Sequence, residues 1–142
     1  MARNHLGIDV GGSSIKAGLV NVDSGEMVSA VVSAPTPQPA TPAAVMQTIR
    51  ALADKLPSTG PVGLAFPTVV KHGKACTAAH IDRSWLSVDG GQLLASTLGR
   101  PAAFLNDADA AGMAEMAWGA GRGVNGTVMM LTFGTGIGSA FF

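Results

Sequence analysis

The stretch HLGIDVGGSSIKAGLV, residues 5–20, decides how this chain folds. Leu6, Ile8 and Val10 fall on one side of an extended backbone and Gly7, Asp9 and Gly11 on the other, the period-two pattern of a half-buried strand. The apolar run resumes over residues 14–20, and the Gly11-Gly12 step between the runs predicts a hairpin. A second turn is expected at NVDSG (residues 21–25) and a third strand over residues 27–34. The chain thus opens with an antiparallel meander, not a strand-helix-strand crossover.

Beyond the meander, APTPQPATP (residues 34–42) is kept extended by its prolines and reads as a surface connection. Thr41 is placed as an N-cap with Pro42 at the first helical position. Val45, Met46, Ile49, Leu52, Ala53 and Leu56 follow on one helical face until Pro57 and Gly60 stop it. Residues 62–66 predict a short buried strand, and residues 69–71 and 74–77 a small hairpin around His72-Gly73. A long loop with Trp85 spans residues 78–89. Then come a helix over 92–98 closed by Gly99, a strand over 102–105, a helix over 107–118 and a glycine-rich connection over 119–126. Residues 127–133 and 137–142 predict a last strand pair. Three strands followed by alternating helices and strands imply an α/β fold, a mixed sheet with helices packed on it. The final strand stays apolar to Phe142, whereas termini are usually exposed and polar. Residues 1–142 are therefore expected to form the N-terminal lobe of a two-lobed protein, cut in mid-sheet.

Composition narrows the function. Hydrophobic residues make up 47% of the 142 and charged ones 13%, which supports a packed core and argues against disorder. Lys plus Arg and Asp plus Glu number nine each, so no basic footprint of a nucleic-acid or membrane-surface binder is expected. An anionic ligand would have to be held locally, by backbone amides and a few side chains. Cys76 is the single cysteine and is expected to be a small buried residue, with no disulfide framework or cysteine metal cluster. Neither a secretory signal nor a membrane span is read from the sequence, and a cytoplasmic location is expected.

Three segments carry candidate chemistry. In DVGGSSIK (residues 9–16), adjacent glycines at a strand turn let backbone N–H groups approach a phosphate, and Ser13 and Ser14 add hydroxyls. Ser14 and Lys16 share a strand face, which lets Lys16 reach the same anion, and Asp9 is suited to a hydrated Mg²⁺. The alternative is an ordinary glycine hairpin with an exposed lysine. In TFGTGIGS (residues 132–139), Gly134, Thr135 and Gly136 form either a second anion nest or a tight hairpin. Its GxGxG register, with no following helix, is not a dinucleotide fingerprint. In LNDADAAGMAE (residues 105–115), a strand turns into a helix at Asn106 and Asp107. Asp107 near a helix N-terminus is either a simple cap or a base able to take a proton from an attacking hydroxyl. Asn106 can both donate to and accept from sugar hydroxyls. Two glycine nests and a strand-end carboxylate together are what phosphoryl transfer to an alcohol requires.

The order of these motifs resembles the sugar-kinase branch of the actin-like (ribonuclease H-like) ATPase superfamily. DVGGSSIKAGLV looks like its first phosphate motif and LTFGTGIGSAFF like its second. LNDADAAGMAE is similar to the sugar-binding and catalytic segment of the ROK (repressor, open reading frame, kinase) family. PTPQPATP, AFPTVV, HIDRSW and NDADAAGMAEMAWGAG are similar to the polyphosphate glucokinases within it.

The resemblance implies a kinase of the glucose 6-hydroxyl with polyphosphate and/or ATP as donor and Mg²⁺ as cofactor, a homodimer when full length. It implies Asp107 as the base and Asn106 as a sugar ligand. Gly11, Gly12, Ser13, Ser14 and Lys16 would hold the donor phosphates, with Gly134, Thr135 and Gly136 closing on them. Asp9 would orient Mg²⁺, and the loop around His80, Asp82 and Trp85 would wall the sugar pocket. His80 stands where an asparagine is expected in the polyphosphate enzymes. The same resemblance places further sugar ligands and the nucleotide-base pocket in a second lobe, absent from this chain. A non-catalytic binding remnant is the alternative reading. A sugar-sensing regulator fits less well, since only Met1–Asn4 precedes the first strand.

Overall fold

The computed structural model describes residues 3–134 and 136–142. The opening stretch forms β1 (Asn4–Val10) and β2 (Ser14–Asn21), paired antiparallel from Asn4↔Asn21 to Val10↔Ile15. β3 (Val32–Pro35) pairs antiparallel with β2, while β4 (Val62–Phe66) pairs parallel with β1. The short strands β5 (Val70–Lys71) and β6 (Lys74–Ala75) form their own hairpin. β7 (Ala102–Asn106) completes the main sheet beside β4, giving the order β3-β2-β1-β4-β7.

Register explains the core. Ala17, Ile8, Leu64 and Phe104 form one row across four strands, all buried. Helix α1 (Pro42–Ala53) lays Val45, Met46, Ile49 and Leu52 on this face. Each such aliphatic side chain contributes about 1.5–3 kcal/mol when fully buried. On the opposite face the same register aligns Gly18, Gly7, Gly63 and Ala103, so that side carries little bulk.

Local chemistry sets the helix ends. Thr41 Oγ1 accepts from the Ala44 N–H at 3.3 Å, and Pro42 gives up no hydrogen bond in the first turn. α2 (Gly90–Leu98) starts two residues earlier than its apolar spacing predicts, because Asp89 caps it by accepting from the Gln92 N–H at 2.8 Å. It ends where Gly99 takes φ 70°, a left-handed conformation that costs glycine little. α3 (Asp107–Trp118) starts immediately after β7.

The last strands, β8 (Met129–Phe133) and β9 (Ile137–Phe141), make an antiparallel ribbon separate from the main sheet. One side packs on α3 through small residues: a Cβ on Gly138 would lie 2.9 Å from that of Ala108, and one on Gly112 would strike the Phe142 ring. The other side leaves Met129, Leu131, Phe133, Ile137 and Phe141 exposed.

Several expectations change. The third strand is shorter than residues 27–34: Met27 makes one isolated bridge to Val20, and the Leu19 N–H then turns to the Ser29 hydroxyl at 2.9 Å, which interrupts the ladder. α1 stops at Ala53 because the Lys55 and Leu56 N–H groups bond three residues back, although Leu56 is still buried. Cys76 is exposed, not buried, because Ala75 takes the inward position and alternation turns Cys76 out. The loop over residues 78–89 contains a 3₁₀ turn, Arg83–Trp85.

Trp85 is fully buried; its ring lies 4.3 Å from that of Phe66, and Nε1 donates to the Ala40 carbonyl at 2.8 Å. It thereby fastens two long connections to the sheet. Trp85→Ala is expected to cost about 3–5 kcal/mol of unfolding free energy in urea titrations. Trp85→Phe, which mainly leaves the Ala40 carbonyl unpaired, is expected to cost about 1–3 kcal/mol.

Candidate active site

The parallel strands β1, β4 and β7 end side by side, and ligands of open α/β sheets bind at such carboxyl edges. A cleft of about 810 Å³ opens there. It is lined by Gly11, Gly12 and Ser13 after β1, by Pro67 and Thr68 after β4, by Asn106 at the end of β7 and by Asp107 and Asp109 of α3. His80 and Thr77 add one wall, and Gly134, Gly136 and Ser139 of the ribbon another. Both glycine turns therefore share one cavity with Asp107. Thr135 lies outside the described residues.

The first glycine turn is closed by the Gly11 N–H donating to the Ser14 carbonyl at 2.9 Å. The N–H groups of Gly12 and Ser13 find no acceptor among the described residues. They are backbone donors on the cleft wall, as an anion nest requires. Ser14 and Lys16 share the predicted face of β2 but lie outside the lining; Lys16 is paired across the strands with Asp9.

Asp9 also stands behind the lining. Its carboxyl is raised above the ordinary value of 3.8, first by desolvation against the surrounding chain, then by the negative Asp107, with Lys16 opposing. Its backbone lies between two paired strands, opposite Lys16 and Ala65, while the residue as a whole keeps contact with solvent. The two carboxylates therefore feel each other. A Mg²⁺ commonly keeps several waters and takes one or two carboxylates plus substrate phosphates. Asp9 and Asp107 suit that role, since a cation between them would relieve their repulsion. No group of three or more metal-binding side chains is present among the described residues.

Asn106 differs from its expected role. Its Oδ1 accepts from the N–H groups of Ala108 at 3.0 Å and Asp109 at 3.2 Å, so Asn106 is the N-cap of α3. Its Nδ2 donates to the Thr68 carbonyl at 2.9 Å. With both lone pairs and one N–H engaged, a single N–H is left for a ligand. Donation to a sugar remains open to Asn106, but acceptance does not. Asp107 is the first helical residue, and its Oδ1 accepts from the Ala108 N–H at 2.9 Å. No donor among the described residues reaches its Oδ2.

Of the loop expected to wall a sugar pocket, only His80 lines the cleft. Asp82 instead caps the 3₁₀ turn, accepting from the Ser84 N–H at 2.8 Å, and Trp85 belongs to the core. Trp85 goes inward because its indole bonds to Ala40 and packs on Phe66. Sequence reasoning also missed Thr68, Thr77 and Asp109, which line the cleft. Threonines in loops carry no periodic signal, and Asp109 reads as an ordinary first-turn acid.

A raised carboxyl favours the protonated form in the folded chain. The stability Asp9 lends is therefore full below the ordinary carboxylate value and is lost as pH rises through the raised one. Asp9→Asn should raise the melting temperature at pH 7 and lose that advantage by about pH 3. Thermal melts across this range check the sign; an Asn variant less stable at pH 7 would refute it.

Comparison with known proteins shows the family and the fold. The family model described as ROK family matches residues 5–142. The chain is 48% identical over 139 residues to a polyphosphate glucokinase of Mycobacterium tuberculosis, covering 97% of this chain and 52% of the relative. It is 46% identical over 136 residues to the polyphosphate glucokinase of Mycobacterium leprae, covering 95% and 42%. Among solved structures it is similar to the inorganic polyphosphate/ATP-glucomannokinase of Arthrobacter sp. strain KM, with a TM-score of 0.91, 47% identity and coverage of 97% and 57%. A ROK family glucokinase of Streptomyces griseus, solved with glucose and AMPPNP, gives a TM-score of 0.85 at 29% identity, covering 98% and 44%. The chain spans about half the length of the curated relatives it matches. It has the mixed α/β architecture of the actin-like ATPase fold, and it belongs to the ROK family.

Proposed function

We propose that the protein carrying this chain transfers a phosphoryl group from polyphosphate and/or ATP to the 6-hydroxyl of glucose, yielding glucose 6-phosphate. In this reading residues 1–142 form the N-terminal lobe and present half of the cleft. The observation that carries it is the shared cavity: residues of two glycine turns line one cleft with Asp107. The names of the relatives, polyphosphate glucokinase and polyphosphate/ATP-glucomannokinase, supply the donor and acceptor classes.

Asp107 acts as general base. Its Oδ1 is held by the helix backbone, which leaves Oδ2 to accept the proton of the attacking hydroxyl. Gly12 and Ser13 hold the donor phosphates through N–H groups at the turn that the Gly11 N–H closes, with Gly134, Thr135 and Gly136 closing from the ribbon. Ser14 and Lys16 add charge and a hydroxyl behind the turn. Asn106 gives its remaining N–H to the sugar, and His80 bounds the sugar end. Asp9 holds Mg²⁺ through water, and the ion supplies charge neutralisation on the phosphate oxygens. Catalysis in such transfers is mostly positioning and electrostatics. No described helix is long and apolar enough to cross a membrane, which is compatible with an enzyme of the cytoplasm.

The test uses the polypeptide read from its whole coding frame. Glucose 6-phosphate should form with polyphosphate, ATP or both in a coupled assay; turnover with neither donor overturns the proposal. Asp107→Asn should lower kcat by at least ~10²-fold while glucose still binds by calorimetry. Near-normal turnover of that variant would remove Asp107 from the role of base.

A further inference from the structure

Two polar side chains are buried among the described residues, Thr36 and Thr68. A buried hydroxyl is costly unless its hydrogen bonds are made. Both threonines make them to backbone of loops that line the cleft, and the two sets of partners do not overlap.

Thr36 Oγ1 donates to the Gly11 carbonyl at 2.6 Å, across 25 residues of chain, and the Thr36 N–H donates to the Ser13 carbonyl at 3.0 Å. In a planar trans peptide the N–H points opposite to the preceding C=O. Holding the Gly11 carbonyl toward Thr36 therefore turns the Gly12 N–H away from it, and Gly12 lines the cleft. Thr36 fixes the direction of the donor-side amide.

Thr68 Oγ1 donates to the Thr77 carbonyl at 2.7 Å and accepts from the Thr77 N–H at 3.1 Å. The Thr77 hydroxyl in turn accepts from the Val69 N–H at 3.0 Å. This clip closes the base of the β5–β6 hairpin three residues before His80. The Thr68 carbonyl meanwhile holds the Asn106 amide, which caps the helix that begins at Asp107. One buried residue thus ties the His80 wall to the Asp107 helix.

We propose that Thr36 and Thr68 are separate positioning residues, Thr36 for the phosphoryl-donor end of the cleft and Thr68 for the sugar end. The inference rests on the kinase reading above. It predicts that the two ends are disturbed independently.

Steady-state kinetics on the full-length protein, varying each substrate in turn, test it. Thr36→Val should raise the donor KM about ten-fold, the equivalent of one hydrogen bond, and leave the sugar KM within about two-fold. Thr68→Val should lower kcat and raise the sugar KM by about ten-fold each, leaving the donor KM within about two-fold. Thr36→Ser and Thr68→Ser retain the hydroxyl and should restore most of each loss. Should a valine variant not fold, Thr36→Ala and Thr77→Val replace it; Thr77 is exposed, and its substitution removes the part of the clip that its hydroxyl makes with the Val69 N–H. Within the sugar end, the Thr68→Val and Thr77→Val losses in kcat should not add in the double variant. Variants that lower only the melting temperature, or that move both KM values together, overturn the proposal. Asp107→Asn serves as the control: if it turns over normally, the kinase reading has failed, whatever the threonine variants show.

Discussion

The parallel pairing of β1, β4 and β7 is the constraint on which the rest of this structure depends. Asp9 opposite Ala65, and Phe66 opposite Asn106, bring three strand ends to one edge of the sheet. Residues 56 and 40 positions apart in sequence become neighbours through backbone hydrogen bonding alone. A slip of one residue in either pairing would turn the buried row of Ile8, Leu64 and Phe104 to the other face. The apolar core that α1 covers therefore also fixes where the chemistry-bearing residues lie.

Much of this was legible in the sequence, because the signals were periodic or local. Leu6, Ile8 and Val10 alternate, Val45 to Leu52 repeat at helical spacing, and Thr41-Pro42 announces a helix start; each was met in the structure. The glycine turns and Asp107 were legible as a group because all three fall at ends of predicted elements. What was not legible depends on partners distant in the chain. Nothing around Thr68 signals that its carbonyl will meet the amide of Asn106, 38 residues on. The family resemblance implies Trp85 as part of a pocket wall, but its indole finds the Ala40 carbonyl and the Phe66 ring. Cys76 was misread through the general tendency of cysteine toward burial, which a single alternation step beside Ala75 overrode.

Asn106 shows how an N-cap and a ligand-binding residue compete for the same atoms. Its carbonyl oxygen has two lone pairs, and the helix takes both. The helix start that presents Asp107 is thereby rigid. In the proposed kinase reading such anchoring suits catalysis by positioning, because a base displaced by an ångström loses much of its effect. The same commitment limits what Asn106 can recognise to an acceptor on the ligand.

The ribbon of β8 and β9 has a consequence of a different kind. One of its faces is settled on α3, while Met129, Leu131, Phe133, Ile137 and Phe141 meet water together. Among the described residues its two strands pair only with each other, so each keeps an outer edge of backbone groups. An adhesive face joined to open edges is a template for strand addition. In a preparation of these residues alone, colloidal behaviour rather than chemistry would set the usable concentration, and detergents or crowding agents would act first on this ribbon.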